Sequence, residues 1–184
     1  MSRTPPSPTA LRVSELPQNT PTDFALRPAA SQLKEIAKDL ELLGLRKLSF
    51  AGDLRADGKS DWKLQAKLGA TVIQPCAVTL EPVTTRIDTA IERYFKSDLH
   101  DIDAPESEMP EDDTIEPLTP WIDPFAIMIE ALVLALPLYP RSPGAALGQA
   151  VFTAPGLAPM RDEDARPFAG LADLKTRLKP TDPE

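Results

Sequence analysis

Residues 71–95 read TVIQPCAVTLEPVTTRIDTAIERYF, two alternating apolar runs that meet at a turn holding Pro75, Cys76, Glu81 and Pro82. Before the turn, Trp62, Leu64, Ala66, Leu68, Ala70 and Val72 recur every second residue, with Lys63, Gln65 and Lys67 between them. After it, Val83, Thr85, Ile87, Thr89, Ile91 and Phe95 keep the same period. A period of two puts each set on one face of a strand, so the stretch predicts a hairpin with one apolar face. Upstream, Leu48, Phe50, Gly52 and Leu54 alternate in the same way. Asp57-Gly58 then offers a hairpin turn, because glycine tolerates the positive φ such turns require. Three antiparallel strands with one apolar face need a cover.

Two segments supply it. From Ser31 to Leu43, residues Leu33, Ile36, Ala37, Leu40 and Leu43 form one helical stripe, with Lys34, Glu35, Lys38, Asp39 and Glu41 opposite. Ser31 is placed to cap this helix and Gly44 to stop it in a left-handed turn. The second segment, Phe125 to Leu136, is apolar nearly all round. Asp123 caps it, Pro124 opens it, and Pro137 and Pro140 end it. A helix of that kind is buried on more than one side or lies at an interface. Leu11 to Leu16 and Phe24 to Arg27 read as short strands, held to edge positions by Pro17, Pro21 and Pro28.

The expected fold class is α+β: an antiparallel sheet of hairpin-connected strands, one amphipathic helix, one buried helix and flexible ends. Residues 1–10 read as a disordered tail, 11–140 as the α+β domain, and 141–184 as a Pro/Gly-rich extension. In that extension Phe168, Leu171, Leu174 and Leu178 share the spacing of a short helix.

The net charge of −8 is local. Nine acidic residues and no basic ones fall between Asp98 and Glu116; elsewhere 20 basic residues face 19 acidic ones. This stretch lacks the spacing of a calcium loop, so it reads as a solvated acidic loop. One cysteine and one histidine leave no internal disulfide and no zinc site built from Cys and His. The N-terminus lacks the apolar core of a signal peptide, and Phe125–Leu136 contains Glu130. As a helix that run reaches roughly 20 Å, short of a ~30 Å hydrocarbon layer. The expectation is a cytoplasmic protein with no membrane contact.

No phosphate-binding glycine motif and no nucleophile elbow occurs. Cys76 and His100 are separated by a strand that leads away from the turn, which argues against a catalytic pair. Cys76 reads as a small apolar residue that packs in the turn. Residues 46–96 hold nine basic and six acidic residues, with Lys63, Lys67 and Arg86 on outward faces: a weak basic patch without the interleaved aromatics of an RNA-binding sheet.

The turn Pro75-Cys76-Ala77-Val78-Thr79-Leu80-Glu81-Pro82-Val83 resembles the Cys-x-x-Cys-Leu-(Glu)-Pro-Val segment of the YceD family, the large ribosomal RNA subunit accumulation proteins. Asp112-Asp113-Thr114-Ile115-Glu116 is similar to the family's acidic Asp-Asp-x-x-Glu before its last helix. Asp123, Glu130 and Leu134-Ala135-Leu136-Pro137 resemble the helix that closes with Leu-Ala-Leu-Pro. Asp164 to Phe168, with Leu171 and Leu174, resembles the closing Leu-rich helix, so the similarity runs from about Leu48 to Leu178. The chain departs from the pattern at Thr79, where the family has its second turn cysteine, and from Leu138 to Met160, which lacks the later cysteine cluster. Any metal held by those cysteines in other members has no such ligand set here.

The resemblance implies a non-catalytic role in accumulation or processing of large-subunit ribosomal RNA, with no cofactor. An acidic protein with a near-neutral body binds bare RNA weakly, so the expected partner is a protein or a pre-ribosomal particle. Expected contacts are the turn residues Cys76, Leu80, Glu81 and Pro82 and the cations Lys63, Lys67 and Arg86. Asp113, Glu116, Asp123, Glu130 and Pro137 stand at positions of the family motif. The rival readings are a general protein–protein adaptor unrelated to ribosomes, and an enzyme, which requires a deep pocket around carboxylates or around a Cys76 of shifted pKa.

Overall fold

The computed structural model describes residues 4–99 and 114–146. Three long strands dominate: β3 (Gly44–Asp57), β4 (Asp61–Pro75) and β5 (Pro82–Lys96), with β1 (Leu11–Arg12) and β2 (Thr22–Leu26) before them. The helix α1 (Ala30–Asp39) lies between β2 and β3; β6 (Ile115–Pro117), β7 (Trp121–Ile122) and α2 (Pro124–Ala135) follow β5. The main sheet runs β2-β3-β4-β5-β6, and β1 pairs with β7 apart from it.

The meander follows the alternation. Gly58, at φ 82°, turns β3 into β4, and Trp62 faces Phe95 across β4 and β5. Trp62, Leu64, Ala66, Leu68, Ala70 and Val72 are all buried, as the period of two requires. Phe50, Leu54 and Leu64 are fully buried in the same core, each contributing roughly 1.5–3 kcal/mol of burial free energy. Gly52 in β3 is demanded by packing: a Cβ there would stand 2.1 Å from the Gln65 carbonyl oxygen.

The edges differ from a plain antiparallel sheet. β6 joins β5 in parallel, pairing Tyr94 with Ile115 and Phe95 with Glu116. A parallel neighbour needs a crossover of a dozen or more residues, and the stretch between Lys96 and Ile115 supplies that length. At the other edge, β2 pairs antiparallel with β3, which agrees with the edge position its flanking prolines dictate. Leu11 to Leu16 yields only a two-residue strand, followed by a 3-10 turn over Val13–Glu15.

α1 starts earlier and ends sooner than its apolar stripe suggests. Its cap is Ala29, not Ser31; the Ala29 N–H donates to the Gln32 side chain at 2.9 Å. The left-handed residue after the helix is Glu41 (φ 53°), whereas Gly44 already belongs to β3. The chain therefore leaves the helix before Leu43, which is 59% exposed and not part of the buried stripe. Ile36 and Ala37 alone are fully inside, with Leu33 and Leu40 packed beside them.

α2 obeys its signals. The Asp123 carboxylate accepts from the Phe125 N–H at 2.9 Å, and Pro124 follows as the first helical residue. The helix lies over β2, β4 and β5 and buries Ile127, Met128, Ala131 and Leu132. Val133 and Leu134 face outward, so one side of this apolar helix is uncovered. Residues 4–10, read by composition as tail, make a turn in which the Ser7 and Thr9 hydroxyls donate to Asp123 at 2.8 and 3.2 Å. The helix expected over Pro167–Leu178, the Cys–His pairing with His100 and the family-motif residue Asp113 lie outside the described residues.

Candidate interaction site

The β4–β5 turn and the segment after α2 are stitched into one structure. The Cys76 N–H donates to the Glu81 carbonyl at 2.7 Å, and the Leu80 N–H returns to the Cys76 carbonyl at 3.0 Å. Leu80 takes a positive φ of 62°, which turns its side chain out to 75% exposure. Two bonds fasten the turn to the chain beyond the helix: Ala77 N–H to the Pro140 carbonyl at 2.8 Å, and Gln74 Nε2 to the Pro137 carbonyl at 3.2 Å. Between these fastenings Leu138 and Tyr139 stand 88% and 78% exposed. Leu80, Leu138 and Tyr139 thus make one apolar, solvent-facing end.

Cys76 sits beneath that end and is fully buried. Its sulfur is more than a small apolar filler. Backbone N–H groups of Val78, Thr79 and Ser142 reach Sγ at 3.4, 3.4 and 3.3 Å, with the Ser142 hydroxyl at 3.6 Å. Donors directed at sulfur favour the thiolate. The Thr79 hydroxyl first, then the N–H groups, bring the Cys76 thiol down to about 6, against the opposing effect of burial. The sulfur has no solvent-exposed surface beneath the turn. Ser142 was not legible as a partner, because it falls in a Gly/Ala/Pro-rich stretch with no period.

The outward cations divide. Lys63 pairs with Glu92 and lies 4.7 Å from the Tyr94 ring centre, and the Glu92 contact first, then Tyr94, pushes its pKa up to about 12. Arg86 donates through Nε to Asp88 at 2.8 Å, and this bond holds the Asp88 carboxyl below its usual range. Lys67 is exposed and forms no ion pair among the described residues. The turn and these cations therefore do not form one cluster: the former is an apolar end, the latter lie on the open sheet face.

The family-motif residues have structural work of their own. Arg93 occupies an inward position of β5, between Ile91 and Phe95, with its side chain 11% exposed. Its Nη2 donates to Glu130 of α2 at 2.8 Å, and its Nε lies 3.0 Å from Glu116 of β6, within ion-pair range but off the hydrogen-bond line. Burial first, then the Glu130 charge, raises the Glu116 carboxyl pKa, while Arg93 opposes that rise. Asp123 caps α2, and Pro137 ends the chain's run along the helix while its carbonyl receives Gln74. Arg93 was missed at the sequence level, although a lone arginine in an inward series was the signal. Among the described residues no group of three or more His, Cys, Asp or Glu is placed to hold a metal ion.

The family model for "Large ribosomal RNA subunit accumulation protein YceD" matches residues 64–175, more than half of the chain. The chain belongs to the YceD family. The match takes in both the Cys76 turn and the Arg93–Glu116–Glu130 junction, so the geometry above is that of the family region. Searches of curated proteins and of solved structures returned no match to the chain. No helix among the described residues is long and apolar enough to cross a membrane.

Proposed function

We propose that this protein supports accumulation or processing of large-subunit ribosomal RNA in the cytoplasm, acting by binding and not by catalysis. The observation that carries the reading is the family match over residues 64–175. Its partner is a protein surface on a pre-ribosomal particle, met by the Cys76–Pro82 turn and the adjoining Leu138 and Tyr139. Exposed large apolar side chains gathered at one end favour a protein partner over bare nucleic acid there. Lys67 extends the contact on the open sheet face, with Lys63 and Arg86 presented as ion pairs.

The test is a sucrose-gradient profile of cells lacking the gene, with the ratio of large- to small-subunit rRNA. A deficit of the large subunit, or accumulation of its precursor, is the expected result. An unchanged profile transfers the protein to the adaptor class, with partners outside the ribosome.

A further inference from the structure

The described cations without carboxylate partners are not spread evenly. Arg27, Lys34, Lys38, Arg46 and Lys47 are all exposed, and none enters an ion pair. These five line two adjoining grooves that share Lys47, of about 750 and 450 Å³, at the end of the sheet where α1 meets the start of β3. Arg86 completes the lining as a sixth cation, and no Asp or Glu lines either groove.

Two local features build this concentration. On α1, Lys34 and Lys38 stand four residues apart, as do Glu35 and Asp39. Like charges at that spacing repel slightly, where an alternating order would attract. The helix thereby turns its lysines to the groove with β3, while Glu35 and Asp39 line the groove with α2. On β3, the register against β4 slips between Arg46 and Ser49, and Lys47 adopts φ 51°. A bulge re-aims side chains that a regular strand would send to opposite faces. Arg46 and Lys47, adjacent in sequence, both line the larger groove as a result. A long cationic side chain held in a left-handed backbone is a conformation the fold sustains at some cost.

We infer that these grooves receive the phosphate backbone of double-helical RNA. Five unpaired cations, with Arg86 shared with Asp88 and no carboxylate in the lining itself, fit a polyanion. No aromatic side chain lines either groove, so there is no platform on which unpaired bases stack. Contacts confined to phosphate position a duplex without reading its sequence. This inference rests on the ribosomal reading and deepens it: the apolar turn meets protein, and the basic grooves, at the same end of the sheet, meet the RNA of the same particle. With an overall charge of −8, direct affinity is modest, in the range of about 10⁻⁴–10⁻⁶ M at physiological salt.

The experiment measures fluorescence anisotropy of a labelled 20-base-pair RNA duplex of arbitrary sequence, with the full chain, from 50 to 200 mM salt. Binding is expected to weaken with a log–log slope of magnitude about 4, at roughly 0.9 per phosphate contact. Arg46→Gln with Lys47→Gln lowers the slope by about 2, and Lys34→Gln with Lys38→Gln, which leaves the bulge intact, does the same. The charge-matched control, Arg12→Gln with Lys59→Gln, leaves it unchanged. Equal weakening by the control, no saturable binding at 50 mM salt, or equal displacement by polyglutamate overturns the inference. None of those results alters rRNA levels in cells, so the gradient profile stands or falls separately.

Discussion

Arg93 and Glu130, 37 residues apart, join the C-terminal part of β5 to α2 by an Nη2–Oε1 bond of 2.8 Å. The same guanidinium faces Glu116 on β6, so one cation fixes two carboxylates from two elements. Removing one partner of a shielded pair leaves like charges facing each other. Arg93→Met is expected to cost about 1–3 kcal/mol at neutral pH, reduced from a fully buried case by the exposure of the carboxylates. Urea denaturation measures it. A raised Glu116 pKa gives stability held below its unfolded value and lost as pH rises through the folded one. Without Arg93 the Glu116 pKa climbs further, so the deficit of the variant grows from acid to neutral pH; a deficit independent of pH refutes the junction.

Cys76 governs a second pH window. Its folded pKa of about 6 lies below the usual thiol value near 8.5. A depressed pKa contributes stability that is complete above the unfolded value and lost as pH falls through the folded one. Melting temperature of the wild type therefore rises from pH 6 toward 9 relative to Cys76→Ser, which does not ionise. Parallel curves for the two proteins contradict a thiolate in the turn.

Gly52→Ala tests the packing of β3 on β4. The added methyl meets the Gln65 carbonyl at 2.1 Å and Ala66 Cα at 2.5 Å, both backbone atoms that cannot rotate away. Overpacking of this kind costs about 1–3 kcal/mol. A urea midpoint equal to that of the wild type refutes the clash.

Leu138→Ser with Tyr139→Ser separates partner binding from folding. Both side chains are exposed, so stability is expected to stay within about 0.5 kcal/mol. The variant nonetheless fails to restore large-subunit rRNA in cells lacking the gene. Full restoration removes this end from the partner surface.

The sequence was most legible where one signal acted over many residues. The alternation of Trp62 to Val72 and the Asp123-Pro124 start of α2 each translate directly into the structure. It was least legible where distant residues combine. β6 has three residues and no period of its own; it is a strand only because β5 offers an edge. The basic grooves draw on Arg27, α1, the Lys47 bulge and Arg86, which no linear window brings together. Leu43 looked like part of the buried stripe because its spacing is helical, but the left-handed Glu41 ends the helix first.

The cap of α2 ties the two ends of the described chain in time as well as in space. Asp123 receives the hydroxyls of Ser7 and Thr9, and Leu11 pairs with Ile122. During synthesis, at roughly 5–20 residues per second, the first strand must wait for more than a hundred residues before its partner leaves the ribosome. Contacts of such long sequence separation form late, after their loop entropy has been overcome. The β3–β4–β5 meander, built from neighbours, is free to assemble meanwhile. The closing of the N-terminal arm onto α2 therefore reports that this helix has arrived, and any nascent chain stopped short of Pro120 leaves that arm without its tethers to Pro120, β7 and Asp123.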